Sequence, residues 1–252
     1  MISMLLNTNS LVIAQNSQSN EDLELKYSSY LGGEGSERNA NFILDDDKNI
    51  YIAGYSYFRQ TGSDFPVTDN AYNKTRSSDG TALYVAKISP DGMNLIFSTW
   101  IGGVGTISET IPFSPRIILD EDNNIVVVGH IEESNKFDFP ITENALNSSH
   151  NGNQDIFIIK LSNDGKTLLY STVFGGSSYD LVWDIALDNS GILFISGSTT
   201  SSDFPITTDA YDKTLNKFDV FFTKLSNLGT GFEVKYSTFL GGSGEEGPSQ
   251  IE

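Results

Sequence analysis

An all-β fold built from a repeated unit is what this sequence predicts, on three observations. The phrase "YSSYLGGEGSE" at residues 27–37 returns as "FSTWIGGVGTISE", "YSTVFGGSSYD" and "YSTFLGGSGEE". Between these lie two further phrases in fixed order. One is Asp-Phe-Pro, beginning at Asp64, Asp138 and Asp203; the other is "ALYVAKISPDG", "DIFIIKLSNDG" and "DVFFTKLSNLG". The period is roughly 70 residues, the signature of stacked supersecondary units. Finally, no stretch joins a helical apolar period to a cap, while 23 glycines and many Asn and Asp residues supply tight turns.

Taken in order, the chain opens with a leader, residues 1–22. Val12-Ile13-Ala14 before Gln15 resembles a signal-peptidase site. The lack of Lys or Arg before Lys26 and the polar run Asn7-Thr8-Asn9-Ser10 suit a disordered leader instead. Residues 23–33 read as a spare outer strand. Three units follow: blade 1 at 34–102, blade 2 at 103–175 and blade 3 at 176–242, with the start of a fourth at 243–252.

Within each unit four strands are expected. The first is "NFILD", "RIILD" or "DIALD", ending in an Asp/Asn-rich turn. The second, "IYIAGYS", "IVVVGHI" or "ILFISGS", is rich in β-branched residues. The third is the "ALYVAKIS" phrase and its repeats. Turns such as Pro90-Asp91-Gly92 and Asn163-Asp164-Gly165 then lead to the fourth, which ends at the paired glycines. Four antiparallel strands per repeat make a propeller blade. The expected fold is therefore an open or partial β-propeller of about three blades.

The motifs resemble the bacterial β-propeller repeat family labelled SBBP, whose units look like "YSTYLGG…D…IAVD..GN.YVTG.T.S.DFP.T…AY…..G..DAFV.KLS..G". Residues Tyr170 to Gly176, Ile185 to Asp188, Ile192 to Gly197, Asp203 to Thr207, Ala210-Tyr211 and Phe218 to Ser226 carry the similarity. It covers about residues 26 to 252. The second unit departs most, with insertions around "SETIPFSP" and "HIEESNKF". The resemblance implies exported or surface-associated bacterial proteins without shared catalytic residues.

Composition narrows the function classes. Fifteen basic against 33 acidic residues give a net charge of -18, which repels nucleic acid and anionic membranes. Without cysteine there is no disulfide, thiolate nucleophile or cysteine-bound zinc. No apolar run is long enough for membrane insertion. Self-association is expected, because a blade face needs a neighbour.

The recurring residues have structural readings first. The paired glycines turn the chain between blades. Asp-Phe-Pro offers a ring for packing and a carboxylate for loop N–H groups. Asp45-Asp46-Asp47-Lys48-Asn49 and Asp120-Glu121-Asp122-Asn123-Asn124 read as solvated hairpins. The spacing Asp45, Asp47, Asn49 resembles the start of a calcium loop but lacks its downstream glutamate. His130 and His150 read as surface residues, and Trp100 and Trp183 as packing groups. Lys87, Lys160 and Lys224 are placed to pair with a loop Asp. No catalytic, cofactor or metal site is assigned.

The leading expectation is a non-catalytic interaction scaffold, secreted or at the cell surface, with a protein or carbohydrate ligand and no cofactor. The alternative is a propeller hydrolase or lyase with carboxylates at the channel mouth, Asp180, Asp184 and Glu109 being its candidates. A fragment of a larger propeller without independent activity is the third reading.

Overall fold

The computed structural model describes residues 3–7, 10–14, 27–33, 35–58, 65–75, 80–105, 114–132, 138–227, 229 and 231–244. Among these residues every regular element is a strand, and all ladders are antiparallel apart from one isolated parallel bridge, Gln154 to Tyr179. Blade 1 comprises β4 (Ser36–Leu44), β5 (Ile50–Phe58), β6 (Gly80–Ile88) and β7 (Leu95–Gly105), hydrogen-bonded in that order. Blade 2 repeats the meander with β8 (Arg116–Leu119), β9 (Ile125–Glu132), β10 (Gln154–Leu161) and β11 (Leu168–Phe174). Blade 3 does so with β12 (Asp180–Leu187), β13 (Ile192–Thr199), β14 (Asp219–Asn227) and β15 (Phe232–Leu240). The repeat thus becomes a propeller-like stack of four-stranded sheets.

One expectation is corrected. Residues 23–33, read from the sequence as a spare outer strand, do not stand alone. Instead β3 (Tyr27–Ser29) pairs with β2 (Ser10–Ala14), which pairs with β1 (Ser3–Asn7) in a three-stranded sheet. The expected cleavage junction at Gln15 and the start of a fourth blade beyond Gly244 lie outside the described residues.

The core lies between blades rather than within them, since alternate residues of a strand point to opposite faces. One face of blade 1, with Tyr51, Tyr55, Leu83 and Phe97, packs on Ile125, Val127, Phe157 and Ile159 of blade 2. The opposite face of blade 2, with Val126, Ile156, Ile158 and Tyr170, packs on Ile195, Phe204, Phe221 and Phe239 of blade 3. The inner strands of blade 2 are therefore apolar on both faces, and β10 is buried along its whole length.

Two kinds of strand boundary differ from the sequence reading. β4 and β12 begin several residues early, each continuing through an irregularity in register, Arg38/Asn41 and Val182/Asp184. β7 runs on through Gly102 and Gly103, whereas β11 and β15 stop before their glycine pairs. Ala82 explains this. It pairs with Gly103 and takes the place of Asp155 and Asp219, whose carboxylates in the later blades lie against Gly175 and Gly241.

Candidate functional site

Alternating strand direction sorts the connections to two ends of the stack. At one end are the acidic hairpins and the Asp-Gly hairpins, which touch where Asn163 Nδ2 donates to the Asp122 carbonyl at 3.4 Å. Lys48 and Asn123 adopt positive φ in the acidic turns, as Gly92 and Gly165 do in the others. Asp45 accepts from the Asn49 N–H at 2.8 Å and its amide at 2.8 Å. Asp120 does the same with Asn124, and Asp188 accepts from the Ser190 and Ile192 N–H groups.

Two of the three third-strand lysines pair as expected. Lys160 lies 2.8 Å from Asp120 and Lys87 lies 3.4 Å from Asp45. Lys224 instead sits over the Phe194 ring. Burial pushes the Asp45 and Asp120 carboxyls up, but the asparagine bonds and lysine charges outweigh it and hold both below the usual range. Asp45, the first residue of the suggested calcium loop, is thus engaged by Asn49 and Lys87. Among the described residues no three His, Asp or Glu side chains gather as a metal site.

The other end holds the paired glycines and the Asp-Phe-Pro loops. Asp138 Oδ1 accepts from the Gly103 N–H at 2.9 Å, and Asp203 Oδ1 accepts from Ser177 N–H and Oγ. Each thus ties its own blade to the connection arriving from the previous one; Asp64 lies outside the described residues. Phe65, Phe139 and Phe204 are buried. Phe204 bridges blades, 5.3 Å from Phe174 and 4.5 Å from Phe221 between ring centroids.

The loop then runs along the outer edge of the fourth strand, which accounts for the recurring Ser-Thr. Thr68, Thr142 and Thr207 each donate a backbone N–H to the carbonyl of Ser98, Ser171 and Ser237. Their hydroxyls accept the N–H of the same serines. Next, Thr99, Thr172 and Thr238 accept from the N–H of Asn73, Asn147 and Asp212, and donate to the carbonyls of those residues. An outer strand that would otherwise present open backbone is covered in all three blades. Sequence reasoning quoted both phrases but missed that one clasps the other.

The two described acids singled out for an enzyme turn to different partners. Asp180 is fully buried and accepts from Thr199 Oγ1, from Ser201 Oγ at 3.0 Å and from the Gly176 N–H at 2.6 Å. Asp184 turns instead to Arg116, whose Nε lies 3.8 Å away and donates to the Trp183 carbonyl. Glu109 lies outside the described residues. Asp180 has a counterpart in Glu37, which accepts from Ser56 and crowds Gly32 as Asp180 crowds Gly175. The signal was present: Glu37, Asp180 and Glu246 each follow the first glycine of a pair at the same spacing.

Both histidines correct the surface reading. His130 is 2% exposed, because Val182 of the next blade closes over it and donates its N–H to Nδ1 at 3.4 Å. Burial, aided by the Arg116 charge, lowers its pKa to about 4. His150 is also largely covered, with Nε2 3.2 Å from the Ile131 carbonyl and 3.8 Å from Asp155 Oδ2. Trp100 is buried against Phe65, and half-buried Trp183 donates to Ser198 Oγ.

Two further acids went unremarked in the sequence. Asp155 and Asp219 stand at the start of the third strand in blades 2 and 3, both buried. Each accepts a loop N–H through Oδ2, from Asn151 and Asn216, at 2.8 Å. Burial pushes the Asp155 and Asp180 carboxyls up.

In comparison with known proteins, no family model and no curated protein matches this chain.

Proposed function

We propose that this chain is a non-catalytic repeat protein of the bacterial propeller type, acting outside the cell or at its surface as an interaction scaffold. The observation that carries the reading is the use of the recurring polar groups. Asp138 and Asp203 hold loops, the Ser-Thr pairs clasp an edge, and Asp180 is buried with both oxygens engaged. A general acid needs access to its substrate, and Asp180 lacks it. Exposed acids do line the hairpin end, at Asp46, Asp47, Glu121 and Asp122. A protein or carbohydrate ligand with basic or hydroxyl-rich groups suits such a surface.

The test pairs binding with turnover. The chain and Asp184→Asn are screened against polysaccharides and surface proteins for capture and for cleavage products. Capture without cleavage, unchanged in the variant, is expected. Turnover that Asp184→Asn abolishes would establish the enzyme instead.

A second reading, self-association, has its own observation. Leu240 is 44% exposed, while its counterpart Phe174 is 3% exposed under blade 3. Sedimentation of the chain over a concentration series tests it; a monomer throughout refutes it.

A further inference from the structure

Asp155 and Asp180 meet between blades 2 and 3 in a way that loop bonding does not explain. Both are buried, at 1% and 0% exposure. Asp155 uses Oδ2 for the Asn151 N–H, but its Oδ1 is buried with no hydrogen-bond partner. A Cβ placed on Gly175 would lie 2.6 Å from this oxygen and 2.6 Å from Asp180 Oδ2. The two carboxylates therefore converge on one glycine. A Cβ on Gly152 would lie 3.1 Å from the same Asp155 oxygen, 2.9 Å from the Gly176 carbonyl and against the Ser178 carbonyl. The Ser178 carbonyl already accepts the Asn153 and Gln154 N–H groups, which leaves three oxygens from two blades around a pair of residues without side chains. His150 faces Asp155 only on the Oδ2 side, at 3.8 Å, so the buried charge on the Oδ1 side calls for a positive species of its own.

We propose that Asp155 and Asp180, with the Gly176 carbonyl, form a site for a hard divalent cation, Ca2+, that clamps blade 2 to blade 3. Carboxylate and carbonyl oxygens in a mixed, irregular set are what this ion takes. Glycine at 152 and 175 lets these oxygens come close, since a Cβ at either position would collide with them. Half of the same device recurs on the far side of blade 3, where Asp219 Oδ1 is again buried without a partner and lies against Gly241. Blade 1 carries Ala82 at the equivalent position, so no such site is expected between blades 1 and 2. With only two carboxylates the affinity belongs to the weak extracellular class, with a dissociation constant of about 0.1–1 mM. The site is separate from the acidic hairpins, which lie at the opposite end of the strands, and it does not depend on the scaffold reading.

The experiment uses the whole 252-residue chain. CaCl2 is titrated calorimetrically at pH 7, Tb3+ luminescence is followed in parallel, and melting is measured with and without about 10 mM CaCl2. Calcium should raise Tm of the wild type. Asp155→Asn and Asp180→Asn should each weaken Ca2+ binding roughly tenfold or more, while Asp47→Asn leaves it unchanged. Without metal, Asp155→Asn should melt no lower than the wild type, because it removes repulsion between the carboxylates. Absence of Ca2+ binding by the wild type overturns the proposal whatever the variants do. So does binding that survives Asp155→Asn, or a wild type whose Tm responds to pH but not to CaCl2, which would show that a shared proton occupies the pair.

Discussion

Acidification should loosen the contact between blades 2 and 3 through His130, and the size of the effect follows from its surroundings. The imidazole is 2% exposed, and its Nδ1 accepts the Val182 N–H, so the folded chain holds it neutral. Burial, with the Arg116 charge, depresses its pKa from 6.5 to about 4. A depressed histidine contributes stability that is present above pH 6.5 and lost as the pH falls toward 4, because the unfolded chain takes up the proton first. At about 1.4 kcal/mol for each pH unit, the interval is worth about 3 kcal/mol. Asp155 and Asp180 act in the opposite sense, since their raised pKa values make protonation favour the folded chain. The perturbation must therefore isolate the histidine. His130→Asn keeps an acceptor for the Val182 N–H and removes the titration. Urea unfolding of both proteins at pH 7 and pH 4 gives two stability differences, and the wild type should lose about 3 kcal/mol more than the variant. Equal losses would show that His130 does not titrate in this interval and that its burial is not maintained in solution.

Three further outcomes are expected. Phe204→Ala, which empties the space against Phe174, Phe221 and Phe239, should cost about 3–5 kcal/mol by chemical denaturation, and a loss below about 1 kcal/mol would show that the ring is not an inter-blade wedge. Lys160→Met leaves the Asp120 carboxylate buried and should cost about 3–5 kcal/mol, whereas Lys160→Met with Asp120→Asn should recover a large part; no recovery would deny the pairing. Thr238→Val removes one clasp on the outer edge of blade 3, for about 1 kcal/mol, and should speed amide exchange at Asp212 and Phe239 while leaving Asn73 and Trp100 unchanged.

The blade unit was legible because its signals are local. β-branched runs such as "IVVVGHI" carry extended backbone, and the Asp-Gly and acidic turns set the hairpins, so neighbouring strands pair in chain order. Strand limits were less legible. Nothing within "GGSSYDLVWDIALD" says that β12 begins at Asp180 rather than Asp184, since the pairing of Asp180 with Thr199 depends on a bulge opposite β13. The paired glycines misled in blade 1 for a similar reason, as their fate turns on Ala82 in a different strand.

By itself, then, the sequence determined the repeat, the four-stranded unit and the turn chemistry, all fixed by backbone preference and alternation over a few residues. Only the tertiary structure decided which polar groups are buried and what they face. His130 is covered by Val182, Gly103 is held by Asp138, and Asp155 meets Asp180, each contact joining one blade to the next. His130 read as a surface residue and Asp155 drew no notice in the sequence, because period-2 alternation reports only which side of a strand a residue occupies. In a stack of blades both sides are interior, so burial is set by the neighbouring unit rather than by the residue's own segment.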